Sequence, residues 1–200
     1  MIYMAIMDTF YLTGEQIKSS PSMKDGIDEV TETTLRIYGC DLIQESGILL
    51  KLLQVVMSTG QVLFHHFYCK KLFACFNVKR DAASCVWIAS NIEEIPKKAS
   101  EVLNVFHIIE CRRENLPLEH LDTSAKKYDD LKAELIRTER YILIELAFIC
   151  HVEHPHKFLS IYLATLELTP ETELIQRAWN LVRPGENLAS GPRHKGAQLV

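Results

Sequence analysis

The stretch CHVEHPHKF, Cys150 to Phe158, decides how the chain divides. It packs a cysteine, three histidines and a glutamate into nine residues, in a chain of 200 residues with only eight histidines. By composition it is a candidate metal site. By position it is a joint, because His154 precedes Pro155, and proline is favoured at the first position of a helix, where its missing N–H would be unpaired anyway. Zinc sites need four ligands, usually from two separated pairs. His151 and His154 make one pair, but no C-x-x-C or similar second pair occurs elsewhere. The capping joint is the stronger reading, and no metal or cofactor is expected.

Upstream of the joint, every strongly patterned segment is helical. Residues 1–32, with Pro21 and Gly26, read as an irregular N-terminal arm. From Thr33, apolar residues at Leu35, Tyr38, Leu42 and Ile43 repeat with helical spacing, and Gly47 is placed to end that helix. Leu52 to Tyr68 is apolar on more than one face, which predicts the central helix of a bundle. Asn77 is the expected N-cap of a third helix, Lys79 to Glu94. It is rich in small residues that let neighbours approach, and it is stopped by Ile95-Pro96. A fourth helix starts near Ser100 with Val102, Val105, Phe106 and Ile109 on one face. After a loop containing Pro117, the fifth runs from Lys126 to Phe148 along a stripe of Tyr128, Leu131, Leu135, Ile142 and Leu146.

Downstream, one helix is expected from Pro155 to about Leu168. Another begins at Pro170, capped by Thr169, and carries Leu174, Ile175, Ala178 and Trp179. Residues 184–200 lack periodicity and read as a disordered tail. The organisation is all-α: five helices over 33–150, a joint, and two helices over 151–183.

A formal net charge of -4 argues against a dedicated nucleic-acid surface, which needs a concentrated basic field. The six cysteines form no regular framework and read as small core residues in a reducing compartment. The apolar start MIYMAIMDTFYL has no basic leader, and no segment approaches transmembrane length, so no membrane is expected. No glycine-rich phosphate loop, H-E-x-x-H or G-x-S-x-G occurs, and no enzyme is expected. Glu93 and Glu94 are adjacent and point about 100° apart on a helix, which suits two solvated carboxylates better than a proton-sharing dyad. Of His65 and His66, one is expected at the core rim and one in solvent. Trp87 and Trp179 read as core.

Five helices, a linker and further helices resemble the cyclin fold. The third helix ends in ASNIEEIP, residues 89–96, which is similar to the cyclin-box signature. TGQVLFHHF, VLNVFHI and TERYILIELAFICHVEHPHK resemble the cyclin L branch, which acts in transcription and pre-mRNA splicing. The resemblance covers about Pro21 to Val182. It implies one complete five-helix cyclin box followed by an incomplete second repeat, in a non-enzymatic, nuclear regulatory subunit. The partner it implies is a cyclin-dependent kinase of the transcriptional and splicing class. It further implies that Asn91, Ile92, Glu93, Glu94 and Ile95, with Glu139, Leu143 and Phe148 on the fifth helix, meet that kinase.

Asn91 departs from the lysine that most cyclins carry there, paired with the glutamate matching Glu139. That departure implies weaker kinase binding. On that resemblance the second repeat is expected to hold two helices where the family has five, without the Arg/Ser-rich tail of cyclin L. The resemblance therefore leaves open an inert or competing truncated variant. A cyclin-box transcription-factor scaffold that binds DNA and protein is a further alternative, opposed by the acidic charge.

Overall fold

A computed structural model of the chain describes residues 20–118, 120–165, and 173, 175 and 177. Most of the arm, nearly all of the helix read from Pro170, and the tail lie outside the described residues. The chain divides into two compact units, residues 1–151 and 152–200.

The first unit begins earlier than the hydrophobic stripe implies. Ser20 caps a one-turn helix α1 (Pro21–Lys24), with Pro21 at its first position. Asp28 then caps α2 (Glu29–Leu49), its carboxylate accepting from the Thr31 N–H at 3.0 Å. Part of the expected irregular arm is thus helical, and the first long helix starts four residues before Thr33. Capping chemistry, not apolar periodicity, sets that end.

At the other end Gly47 does not terminate α2. The helix continues to Leu49 and closes on Lys51, which takes a left-handed φ of 53° while Leu52 N–H bonds to Gly47 C=O at 2.9 Å. Gly47 serves packing instead, since a Cβ there would overlap the Met57 side chain.

Next come α3 (Gln54–Lys70), a 3₁₀ turn at Phe73–Cys75, α4 (Val78–Ile92), α5 (Ala99–Arg113) and α6 (Lys126–Glu145). Asn77 caps α4 as expected, accepting from Lys79 N at 3.0 Å. The centre of the bundle is α4, which packs against α2, α3, α5 and α6. The expectation that the second helix would be central is therefore corrected. Ala82, Ala83, Ser84, Cys85, Ala89 and Ser90 are all buried, and these small side chains let four helices approach one axis, whereas the bulkier α3 supplies the aromatic filling. Phe64, Phe67 and Tyr68 are fully enclosed, and the Tyr68 ring stacks on Phe73 at 3.7 Å.

Most buried polar groups are matched, as burial demands, although Gln54 Nε2 and Ser58 Oγ on α3 have no hydrogen-bond partner. Glu32 is 4% exposed, pairs with Arg36 at 2.7 Å and accepts from the Ser20 hydroxyl. Arg36 also donates to Tyr68 C=O at 3.1 Å, and Ser22 Oγ accepts from Phe73 N at 3.0 Å. This cluster ties residues 20–22 to the box.

His65 and His66 are both half-buried, so neither is the solvent-facing partner expected. Burial pushes His65 down to about 4, and its Nε2 lies 3.2 Å from Cys40 Sγ. The cysteines are free thiols, with Cys85 and Cys111 in the core but Cys75 exposed, so the reading of all six as core residues does not hold for Cys75.

The second unit contributes α7 (Pro155–Thr165), beginning at the expected proline, with Phe158, Ile161 and Tyr162 exposed. Among the described residues there is no strand.

Candidate functional site

The residues singled out from the sequence lie at the C-terminal ends of α4 and α6, two helices that pack on one another. A helix end leaves its last carbonyls without intrahelical partners, so both ends need a closing device. The same device occurs at each.

At the end of α4, Ile95 N–H reaches back to Ser90 C=O at 2.9 Å while Glu94 takes a φ of 58°. This six-to-one closure normally places glycine in the left-handed position, because a Cβ there is strained. Here a glutamate occupies it, and Glu94 is exposed. The closure turns the chain so that Ile92 and Ile95 pack against the core. Asn91 remains exposed on the last turn.

Glu93 does not behave as a solvated carboxylate. It is half-buried and accepts from the Thr59 hydroxyl at 2.6 Å. Beyond the turn, Trp87 Nε1–H donates to Lys97 C=O at 3.0 Å, fastening residues 93–97 against their own helix. Trp87 is consequently half-buried, with a polar task added to its packing.

The fifth helix stops at Glu145, three residues short of the expected Phe148. Phe148 N–H bonds to Leu143 C=O at 2.8 Å, and both Ala147 and Phe148 adopt positive φ, 50° and 58°. Phe148 is 69% exposed. A bulky aromatic in left-handed backbone is a rare conformation, and such strain concentrates at functional positions.

Lys70 Nζ donates to Glu145 C=O at 2.9 Å, and Lys71 pairs with the Glu145 carboxylate at 2.7 Å, so the end of α6 is also fastened to α3. Leu143 is half-buried against the core, while Ile144 beside it is 52% exposed. Ile144 was missed in the sequence, although an isoleucine one turn before Phe148 on the polar side of the α6 stripe was a usable signal. Thr59 was missed without any such signal, because its partner lies 34 positions away.

Glu139 is half-buried and, among the described residues, has neither a hydrogen bond nor an ion pair. Burial raises its carboxyl above the ordinary glutamate range. Ile144, Phe148 and Glu94 are exposed, and Ile92, Ile95, Leu143 and Glu139 are half-buried; the end of α4 meets α3 at Thr59, and the end of α6 meets it at Lys70 and Lys71.

Two other features offer less chemistry. In CHVEHPHKF, His151 is exposed and His154 half-buried, and among the described residues no three His, Cys, Asp or Glu side chains converge to hold a metal ion. Near the start of α4 the basic residues are paired: Lys79 with Glu110 at 2.7 Å, Arg80 with Glu134 at 2.9 Å, and Arg113 with Glu45 at 3.0 Å. That neutralised surface offers phosphates little. Among the described residues no helix is long and apolar enough to cross a membrane.

The first unit is a helical bundle around the small-residue axis of α4, with apolar and acidic side chains exposed at the ends of α4 and α6. The family described as Cyclin, N-terminal domain matches residues 5–151, and the chain belongs to the cyclin family.

Within that family it is similar to cyclin L. It is 71% identical over 181 residues to Cyclin-L1-1 of Arabidopsis thaliana, covering 90% of this chain and 43% of the relative. It is 68% identical over 181 residues to Cyclin-L1-1 of Oryza sativa subsp. japonica, covering 90% and 42%. Against Cyclin-L2 of Mus musculus the figures are 44% over 177 residues, 87% and 33%. The chain thus spans less than half the length of these relatives.

Proposed function

We propose that this chain is a regulatory, non-enzymatic cyclin subunit that binds a cyclin-dependent kinase of the transcriptional and splicing class through the ends of α4 and α6. The observation that carries the reading is Phe148, 69% exposed at a φ of 58°. No hydrogen bond or ring contact of the Phe148 side chain among the described residues accounts for so exposed an aromatic in so strained a backbone, whereas a partner with an apolar pocket would. Ile144 widens the apolar anchor, and Glu94 and Glu139 flank it with negative charge that sets register against basic or N–H-rich partner surface. Pressed against the kinase's mobile helix, such a surface fixes the Lys–Glu ion pair that phosphoryl transfer requires. The cyclin L relatives support a nuclear setting in transcription and splicing.

A pull-down with purified transcriptional kinase, followed by a phosphorylation assay, tests the reading. Retention of the kinase with raised activity is expected. Neither retention nor activation sinks it.

A second reading rests on Asn91, exposed and uncharged at the position where the resemblance implies a lysine, and on Glu139, half-buried with no ion pair among the described residues. On that reading the chain occupies the kinase without activating it, and competes with longer cyclins. Adding the chain to a kinase already activated by a full-length cyclin separates the two, because only the competitor lowers activity.

A further inference from the structure

The residues expected to meet the partner lie on α4 and α6, yet both helix ends are fastened to the same third element, α3. We infer that Thr59 and Lys70 of α3, with Lys71 at its C-cap, are the positioning residues of these helix ends. They hold the two ends in one geometry without forming part of either.

Thr59 is fully buried, and its hydroxyl donates to Glu93 Oε1 at 2.6 Å. Glu93 sits between the last turn of α4 and the left-handed Glu94, so a bond that fixes Glu93 fixes the direction of both Glu94 and Ile95. At the far end of α3, Lys70 caps the Glu145 carbonyl at 2.9 Å and Lys71 pairs with its carboxylate at 2.7 Å. Glu145 stands two residues before the left-handed pair Ala147 and Phe148.

Each clamp therefore acts on the residue just ahead of a strained cap. Strained caps are where local opening is cheapest, and a cap left to fluctuate would present Glu94 or Phe148 in several directions. Holding them spares the partner the cost of ordering them on binding. A charge-assisted bond such as Thr59 to Glu93 is stronger than a neutral one and suits that task.

The inference deepens the proposed kinase docking and rests on it for the partner's identity, but its core is testable without a partner. Amide hydrogen exchange of Glu93, Glu94 and Ile95 should quicken about tenfold in Thr59→Val, while core amides of α4 such as Val86 keep their rates. Thr59→Ser should restore the slow exchange, because it restores the hydroxyl. Glu93→Gln, which keeps the shape and weakens the bond from the other side, should give an intermediate rate. The Lys70→Met, Lys71→Met pair should do the same for Ala147 and Phe148.

In the kinase pull-down, the Thr59→Val chain should dissociate about tenfold faster, with Thr59→Ser rescuing it. Unchanged exchange at Glu93–Ile95 in Thr59→Val overturns the inference. If the parent chain binds no kinase, the docking proposal falls, and the exchange result alone decides the positioning role.

Discussion

Inside the box the Tyr68 hydroxyl, carried by α3, donates to the carboxylate of Asp81 on α4. Both side chains are enclosed, at 0% and 2% exposure. Burial pushes Asp81 up to about 7, against a smaller lowering by the Tyr68 bond. The folded state therefore holds this proton more tightly than the unfolded chain does. Asp81 contributes stability that is fully present below about pH 4 and is lost as pH rises through about 7.

His65 has the opposite sign. Burial first, then the nearby Arg36 and His66 charges, push it down to about 4, so its contribution is present above about 6.5 and lost as pH falls toward 4. Over that shared window the two slopes oppose each other. Melting temperature of the parent chain should consequently vary little between pH 4.5 and 6.5 on account of this pair. Asp81→Asn should unmask a rise in stability with pH across that range, and His65→Gln should unmask a fall. Parallel slopes in the two variants would show that these groups do not control the profile. Tyr68→Phe should cost more at pH 8 than at pH 5, because at the higher pH it strands a charged carboxylate; urea midpoints at the two pH values read the difference.

The second prediction concerns the approach of α2 to α3. Gly39→Ala would ordinarily gain about 1 kcal/mol from helix propensity. Here the new methyl would overlap the Phe64 ring, and Phe64 is fully buried. Overpacking of this kind costs about 1–3 kcal/mol, so the variant should be less stable than the parent by urea unfolding. A stability gain would mean that the two helices can separate more easily than their packing implies.

A third prediction sets stability against function at Glu94. Left-handed backbone at φ 58° is strained for glutamate and natural for glycine, which loses more chain entropy on folding. Glu94→Gly should therefore raise stability slightly, by about 0.5 kcal/mol, while weakening retention of the kinase through loss of the carboxylate. Opposite movements in the melting curve and the pull-down are the expected signature. If retention is unchanged, Glu94 is not part of the docking surface.

How far the sequence could go follows from these cases. Helix existence was legible because apolar spacing repeats locally: Leu42 and Ile43, Val102 and Ile109, Leu135 and Ile142 all lie in the core as their periodicity requires. Helix ends were less so. Asn77 and Pro155 are local chemical signals and marked true starts, whereas the ends near Lys51, Glu94 and Phe148 use non-glycine residues in a glycine conformation, which composition hides.

The central role of α4 was misassigned because hydrophobicity favours α3, while close packing favours small side chains. The candidate helix-end residues come from resemblance to the cyclin box, not from local periodicity. The Thr59–Glu93 and Lys71–Glu145 links, spanning 34 and 74 positions, exist only once the helices have packed.

The last prediction addresses Asn91 and Glu139. Glu139 is a half-buried carboxylate that burial raises and that no described residue balances. An extended cation at position 91 is what most cyclins provide. Asn91→Lys should supply it, lower the Glu139 carboxyl toward the ordinary range and tighten kinase binding. The coupling is separable from a general gain of positive charge by a double-mutant cycle: Asn91→Lys, Glu139→Gln, and both together. If the two side chains interact, Asn91→Lys should improve binding by about tenfold in the parent and much less in Glu139→Gln, a coupling of about 1 kcal/mol. Equal gains in both backgrounds would show that the lysine acts on the kinase alone. Activation measured in parallel then assigns any remaining deficit: if Asn91→Lys binds tightly yet leaves the kinase inactive, the shortfall lies outside the Asn91–Glu139 pair.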